Sequence, residues 1–219
     1  MNMETPFLYG RIAENENFTN RRNETEFLKK NFKGLINTVI ISPRRWGKAS
    51  LVHKVAKLIS EEEKDVIICQ VDIFNCRTEE EFYTVFANSL LKSTTTVWEE
   101  FVGGVKKYLG RLAPIVSISD ATQTYELSFG IEFKDSRLSY DEILDLPQVI
   151  ANDTKKRIVV YIDEFQNINE YEEPLAFQRK LRSHWQKHTS VCYCLYGSKR
   201  HMLLNIFNNY GMPFYKFGD

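Results

Sequence analysis

The chain has 219 residues, 43% hydrophobic and 26% charged, and its 29 basic side chains balance 29 acidic ones. That length suits one domain with a full core, and the balanced charge gives no global electrostatic case for DNA, RNA or an anionic membrane as partner. No apolar stretch approaches the roughly 18–20 residues needed to cross a bilayer, and the amino terminus lacks a signal-peptide pattern, so a cytoplasmic protein is expected. Cys69, Cys76, Cys192 and Cys194 include no Cys-x-x-Cys and read as buried reduced thiols.

Residues 1–17 are polar and weakly patterned, an extended arm before a core over 18–219. A helix follows, with Asn23 and Glu26 at capping-box spacing, Phe27, Leu28 and Phe32 on its apolar face, and Gly34 at its end. Thr38 to Ile41 reads as the first strand. Leu51, Val52, Val55, Leu58 and Ile59 then recur at helical spacing from Lys48 to about Glu62. Val66 to Ile73 is nearly continuous in apolar residues, the pattern of a strand covered on both faces. Thr78 and Glu81 cap a helix carrying Phe82, Val85, Phe86 and Leu90, and Trp98, Phe101, Val102, Val105, Tyr108 and Leu109 suggest another.

Between 114 and 133 two alternating runs, 115–119 and 125–129, predict a hairpin-like excursion from the main sheet. It serves either as a plain insertion or as a docking or nucleotide-sensing element. Ser139 and Glu142 start a helix that Pro147 is expected to bend or divide. Ile158 to Ile162 is the next strand and ends in Asp163-Glu164. Pro174 fits the first turn of a helix bearing Phe177, Leu181 and Trp185. Val191 to Tyr196 makes a fourth strand with Gly197-Ser198 at its exit, and a final helix carries Met202, Leu203, Ile206 and Phe207. Strands alternating with helices indicate an α/β fold with a mostly parallel sheet, its ligand beyond the carboxyl ends of the strands.

Two stretches carry chemistry. Ser42-Pro43-Arg44-Arg45-Trp46-Gly47-Lys48-Ala49-Ser50 lies between a strand and a helix, the setting in which loop N–H groups wrap a phosphate while a lysine ammonium reaches its oxygens. Compared with G-x-x-x-x-G-K-[ST], Ser42 replaces the first Gly and Ala49 the Ser or Thr. A methyl group donates no oxygen to Mg²⁺, so hydrolysis is expected to be slower or metal binding weaker. Arg44 and Arg45 suit a solvated turn or the phosphate, and Trp46 reads as a packing residue of the loop.

The second stretch is Asp163-Glu164. Asp163 suits a Mg²⁺-bound water and Glu164 the polarising of an attacking water, with an acidic sheet edge as the plainer alternative. Ser198 either bonds the γ-phosphate or lytic water or serves turn geometry alone. Arg182 is a possible charge clamp within the subunit or across an interface; Arg179 reads as solvated.

These motifs together resemble the prokaryotic, archaeal-type AAA-like ATPase domain family of the STAND and AAA+ P-loop proteins. The resemblance runs from Phe18-Thr19-Asn20-Arg21-Arg22-Asn23-Glu24, similar to an F-x-x-R-x-x-E opening, through the loop at 42–48 and Asp163-Glu164-Phe165-Gln166 to Tyr196-Gly197-Ser198. It implies a P-loop three-layer sandwich of the ASCE/AAA+ type, without the last strand and helical lid usual in the family. It also implies ATP and Mg²⁺ as ligands, with Lys48 as the Walker A lysine, Asp163 as the Walker B aspartate, Glu164 as catalytic glutamate and Ser198 at sensor 1. Phe18 and Arg21 resemble the segment near the adenine. Three functions follow from this: an ATPase that drives a conformational switch, an ATP-binding scaffold with little turnover, and a subunit reading a protein partner, further carboxyl-terminal domains or nucleic acid.

Overall fold

The computed structural model describes residues 21–98, 113–118, 125–130 and 139–219. The predicted arm at 1–17, Phe18 and the periodic set from Phe101 to Leu109 lie outside the described residues. Helix α1 (Arg22–Lys33) is followed by β1 (Thr38–Ile41), α2 (Lys48–Glu62), β2 (Val66–Asp72) and α3 (Glu79–Trp98). Next come β3 (Ala113–Ile118), β4 (Tyr125–Gly130), α4 (Tyr140–Thr154) and β5 (Arg157–Asp163). A 3₁₀ turn (Phe165–Glu170), α5 (Pro174–Trp185), β6 (Val191–Gly197) and α6 (Arg200–Asn208) complete the order.

Strands β1, β6, β5 and β2 lie side by side in that order in one parallel sheet, while β3 and β4 pair antiparallel as a separate hairpin. The nearly continuous apolar runs follow from burial on both faces: every residue of β6 is buried, and only the two ends of β5 are partly open. One face packs Val159, Tyr161, Cys192, Cys194 and Tyr196 against Leu28 and Phe32 of α1 and Val52, Val55 and Ile59 of α2. The other packs Val71, Val160, Ile162 and Leu195 against Phe86, Leu146, Leu181, Trp185 and Ile206 from α3 to α6. The result is the three-layer α/β sandwich expected of a P-loop fold. Each such aliphatic side chain contributes about 1.5–3 kcal/mol by leaving water. Trp185 stacks on Tyr193 with ring centroids 4.2 Å apart, and Phe165 meets Phe214 edge-on at 5.3 Å. All four cysteines are buried, and burial pushes the thiols of Cys69 and Cys192 up to about 12.

Several expectations change in detail. Helix α1 starts at Arg22 with Arg21 as its N-cap residue and no side-chain cap, so Asn23 and Glu26 fall inside the helix and form no capping box. Phe27 is half exposed while Leu28 and Phe32 are buried. At α3 the backbone N–H of Glu81 donates to Thr78 Oγ1, but the Glu81 carboxylate accepts from Arg77 N–H one residue before the cap. The box at Ser139 and Glu142 is complete. Pro147 does not divide α4, which continues through it with the proline ring buried; the core contacts of Ile143, Leu146 and Ile150 outweigh the lost helical N–H.

Among the described residues β1 forms one margin of the sheet. On its outer side the Asp219 N–H donates to the Asn37 carbonyl (2.9 Å) and the Val39 N–H to the Asp219 carbonyl (2.8 Å), the bond pattern of a parallel bridge. No described helix is long and apolar enough to cross a membrane.

Candidate functional site

The parallel sheet aligns the carboxyl ends of its strands, and the polar residues beyond the apolar runs gather there. Gly197 pairs with Ile41, and Asp72 lies in register with Asp163. The loop after β1 bends through two left-handed residues, Arg45 (φ 63°) and Gly47 (φ 68°). Ser42 needs no positive φ, which is why a residue with a Cβ is accommodated where the P-loop pattern has glycine. Gly47 caps α2, and nothing lies within 4 Å of where its Cβ would be, so conformation rather than crowding favours glycine there.

Lys48, the first residue of α2, is buried, and its ammonium donates to the carbonyls of Ser42 (3.2 Å) and Pro43 (2.9 Å). Burial lowers its pKa, Glu164 and Asp163 pull it back up, and Arg21 and Arg44 lower it further. The leading N–H groups of α2 have no helical acceptors, so helix and lysine together fit a phosphate. Arg21 donates from its guanidinium to the Trp46 carbonyl and so joins the start of α1 to the loop. Arg44 and Arg45 are exposed. The expected packing role of Trp46 is not what the fold gives it: its side chain is 60% exposed at the loop tip. Ala49 packs partly buried against the α1–α2 side of the core, and Ser50 is buried.

Strand β5 stops at Asp163, and Glu164 takes a left-handed conformation (φ 55°) that turns the chain into the 3₁₀ segment. Asp163 Oδ1 accepts the Glu164 N–H at 2.7 Å. Burial raises the Asp163 carboxyl to about 6; the hydrogen bond from Glu164 opposes this, while the charges of Glu164 and Asp72 reinforce it. Glu164 Oε2 accepts from the Ser198 N–H (3.2 Å), the Ser198 hydroxyl (2.9 Å) and the Gln166 side-chain amide. A divalent cation would find carboxylate oxygens at Asp163, but no oxygen at Ala49.

The fold thus brings Lys48, Asp163, Glu164 and Ser198 to one edge. It takes Arg182 elsewhere: that guanidinium lies 4.8 Å over the Phe217 ring, which packs on Trp185 and on Tyr193 in the amino-terminal half of β6. The phosphate loop leaves the opposite end of the sheet, so within this chain the expected clamp does not form at the loop. Arg179 is exposed. Sequence reasoning gave no role to Asp72 or Gln166. The signal for Asp72 was an acid ending the second apolar run just as Asp163 ends the third, whereas Gln166 had none beyond its place in the quoted motif.

The KAP family P-loop domain matches residues 46–173, from the loop through Asp163-Glu164. No curated protein matches the chain. Among solved structures, the Walker-type ATPase of Pyrococcus abyssi shares 16% identity at a TM-score of 0.62, covering 97% of this chain and 55% of that one. Cdc6p from Pyrobaculum aerophilum shares 12% at 0.55, covering 91% and 44%. The Aeropyrum pernix ORC2 protein, solved in ADPNP–ADP complexes, shares 17% at 0.50, covering 91% and 46%. At such identities the likeness is one of fold, and the chain spans about half the length of these structures. Because the matched stretch covers more than half of its residues, the chain belongs to the KAP family of P-loop domains, with a P-loop NTPase fold.

Proposed function

We propose that this domain binds ATP and hydrolyses it with Mg²⁺, coupling hydrolysis to a conformational switch read by a protein partner or by further domains. The observation that carries this reading is the convergence of Lys48 and the amino terminus of α2 with Asp163, Glu164 and Ser198 at one sheet edge. In it the N–H groups over residues 43–50 cradle the β- and γ-phosphates, and Lys48 exchanges its two loop carbonyls for phosphate oxygens. Glu164 accepts the proton of the attacking water, and Ser198 holds that carboxylate or the water. Asp163 would hold Mg²⁺ through water, and the ion, when bound, neutralises charge on the phosphate oxygens. Arg21 steadies the loop through Trp46, and the exposed Trp46 and Arg45 stand where a nucleotide approaches. The reading carries with it a cytoplasmic location, where ATP is available.

The methyl of Ala49 favours a second reading, an ATP-binding scaffold or regulator with little turnover. Measuring ATP affinity and phosphate release for wild type, Ala49→Thr and Ala49→Thr with Glu164→Gln separates the two. Turnover in wild type that rises several-fold in Ala49→Thr and disappears with Glu164→Gln supports hydrolysis. Binding without turnover in wild type supports the scaffold, and absence of ATP binding in every variant overturns both.

A further inference from the structure

Gln166 is fully buried beside Glu164. Its Nε2 donates to Glu164 Oε2 and lies 3.4 Å from Asn167 Oδ1, while its Oε1 has no hydrogen-bond partner. A buried amide with one end unsatisfied is costly, and an apolar side chain of the same shape would avoid that cost. The polar group is therefore suited to its neighbour rather than to packing. The space it fills exists because residue 197 has no side chain: a Cβ there would lie 1.9 Å from Gln166 Oε1 and 3.2 Å from Glu164 Cα. The turn is fixed from behind by Asn167, whose Nδ2 donates to the carbonyls of Ile73 (3.3 Å) and Phe74 (3.2 Å) after β2.

All the side-chain hydrogen bonds that Glu164 accepts among the described residues fall on Oε2, two from Ser198 and one from Gln166. We propose that Gln166 is a positioning residue for Glu164, that residue 197 is glycine so that Gln166 fits, and that saturating Oε2 leaves Oε1 as the proton acceptor. This rests on the reading of Glu164 as the base of ATP hydrolysis. In that step the water oxygen bonds to the γ-phosphorus, the bond to the bridging β–γ oxygen breaks with its electron pair leaving on ADP, and the water proton passes to Oε1. Gln166 touches neither water nor nucleotide and acts only through the orientation of the carboxylate.

The test measures affinity with a fluorescent ATP analogue, kcat and KM for ATP, and thermal melting of the full chain. The variants are Gln166→Met, which keeps the shape, Gly197→Ala, Gln166→Ala and the Gln166→Ala/Gly197→Ala pair, each with and without Ala49→Ser. Gln166→Met is expected to lower kcat by about 10- to 100-fold, the scale on which misplacing a reacting group acts, with affinity and KM within about twofold. Gly197→Ala should cost a similar factor when Gln166 is present, and less than about threefold more once Gln166 is already alanine. An unchanged kcat in Gln166→Met, a loss of affinity as large as the loss of rate, or full additivity of the pair would overturn the proposal while leaving hydrolysis intact. ATP bound but no turnover in both wild type and Ala49→Ser would overturn the hydrolysis reading, and the role of Gln166 with it.

Discussion

The two ends of the central sheet treat charge in opposite ways. At the carboxyl edge, burial raises the Asp163 carboxyl to about 6 and lowers the Lys48 ammonium, so both groups are pushed toward their neutral forms. At the amino edge, Arg157 donates to Asp65 from Nε (2.8 Å) and Nη2 (3.0 Å), to Glu63 (3.0 Å) and to the Lys33 carbonyl (2.8 Å). There the hydrogen bond from Lys33, with that from Arg157, lowers the Glu63 carboxyl, the bond from Arg157 lowers the Asp65 carboxyl, and the bond to Asp65 raises the Arg157 guanidinium. One edge ties α1, the α2–β2 turn and β5 together with satisfied ions. The other holds charged groups that burial pushes toward neutrality, while left-handed residues occur at both edges, at Leu35 and Lys155 on the amino side and at Arg45 and Glu164 on the carboxyl side.

The largest effect that would sharpen this contrast is on binding. Lys48→Met should weaken ATP affinity by about 100-fold or more, because a charge-assisted contact to phosphate is lost, while leaving or raising the melting temperature. Calorimetric titration with ATP checks it, and unaltered affinity would break the assignment of the carboxyl edge to phosphate.

Asp163→Asn is expected to raise the stability of the free domain at pH 7 by about 1–2 kcal/mol, a figure discounted for the solvent that reaches the group. The sign follows from linkage. A carboxyl whose folded value is raised contributes fully below its unfolded value, near 4, and loses that contribution as pH rises through about 6. The advantage of the asparagine should therefore grow between about pH 4 and pH 6 and vanish below it, as urea melts across that range would show. The same substitution should abolish any Mg²⁺ dependence of nucleotide binding.

The smallest effect belongs to the amino edge. Arg157→Met should cost about 1 kcal/mol, since the ions it pairs are largely solvated, and the loss should shrink in high salt. For Asp65 the sign is reversed: with its folded value depressed, its contribution is present at neutral pH and is lost as pH falls through that value. An Arg157→Met variant as stable as wild type at low salt would break the contrast from this side.

Much of this architecture was legible along the chain. The run from Ile158 announced a strand buried on both faces, and Lys48 to Glu62 formed the helix its spacing required, whereas the run from Val66 forms β2 at the margin of the described sheet, with Gln70 and Asp72 exposed on one face. Boundaries that depended on competing local bonds were less legible. Asn23 had the spacing of a cap, yet the chain already follows helical geometry one residue earlier, and Pro147 lies inside a helix because core packing overrides its local penalty. Of the candidate site, Lys48, Asp163, Glu164 and Ser198 could be read as strand-end residues, whereas Arg182 had the right chemistry at the wrong end of α5.

The sequence by itself determined the order of strands and helices, the phosphate-loop chemistry of Lys48 and the methyl at Ala49, because periodicity and residue type are properties of short stretches. Only the tertiary structure decided which carboxylate oxygen of Glu164 is saturated, that Gly197 makes room for Gln166, and that Asp72 stands beside Asp163. Those facts depend on β2, β5 and β6 lying side by side in a fixed register, a relation between residues far apart in the chain that no local pattern encodes.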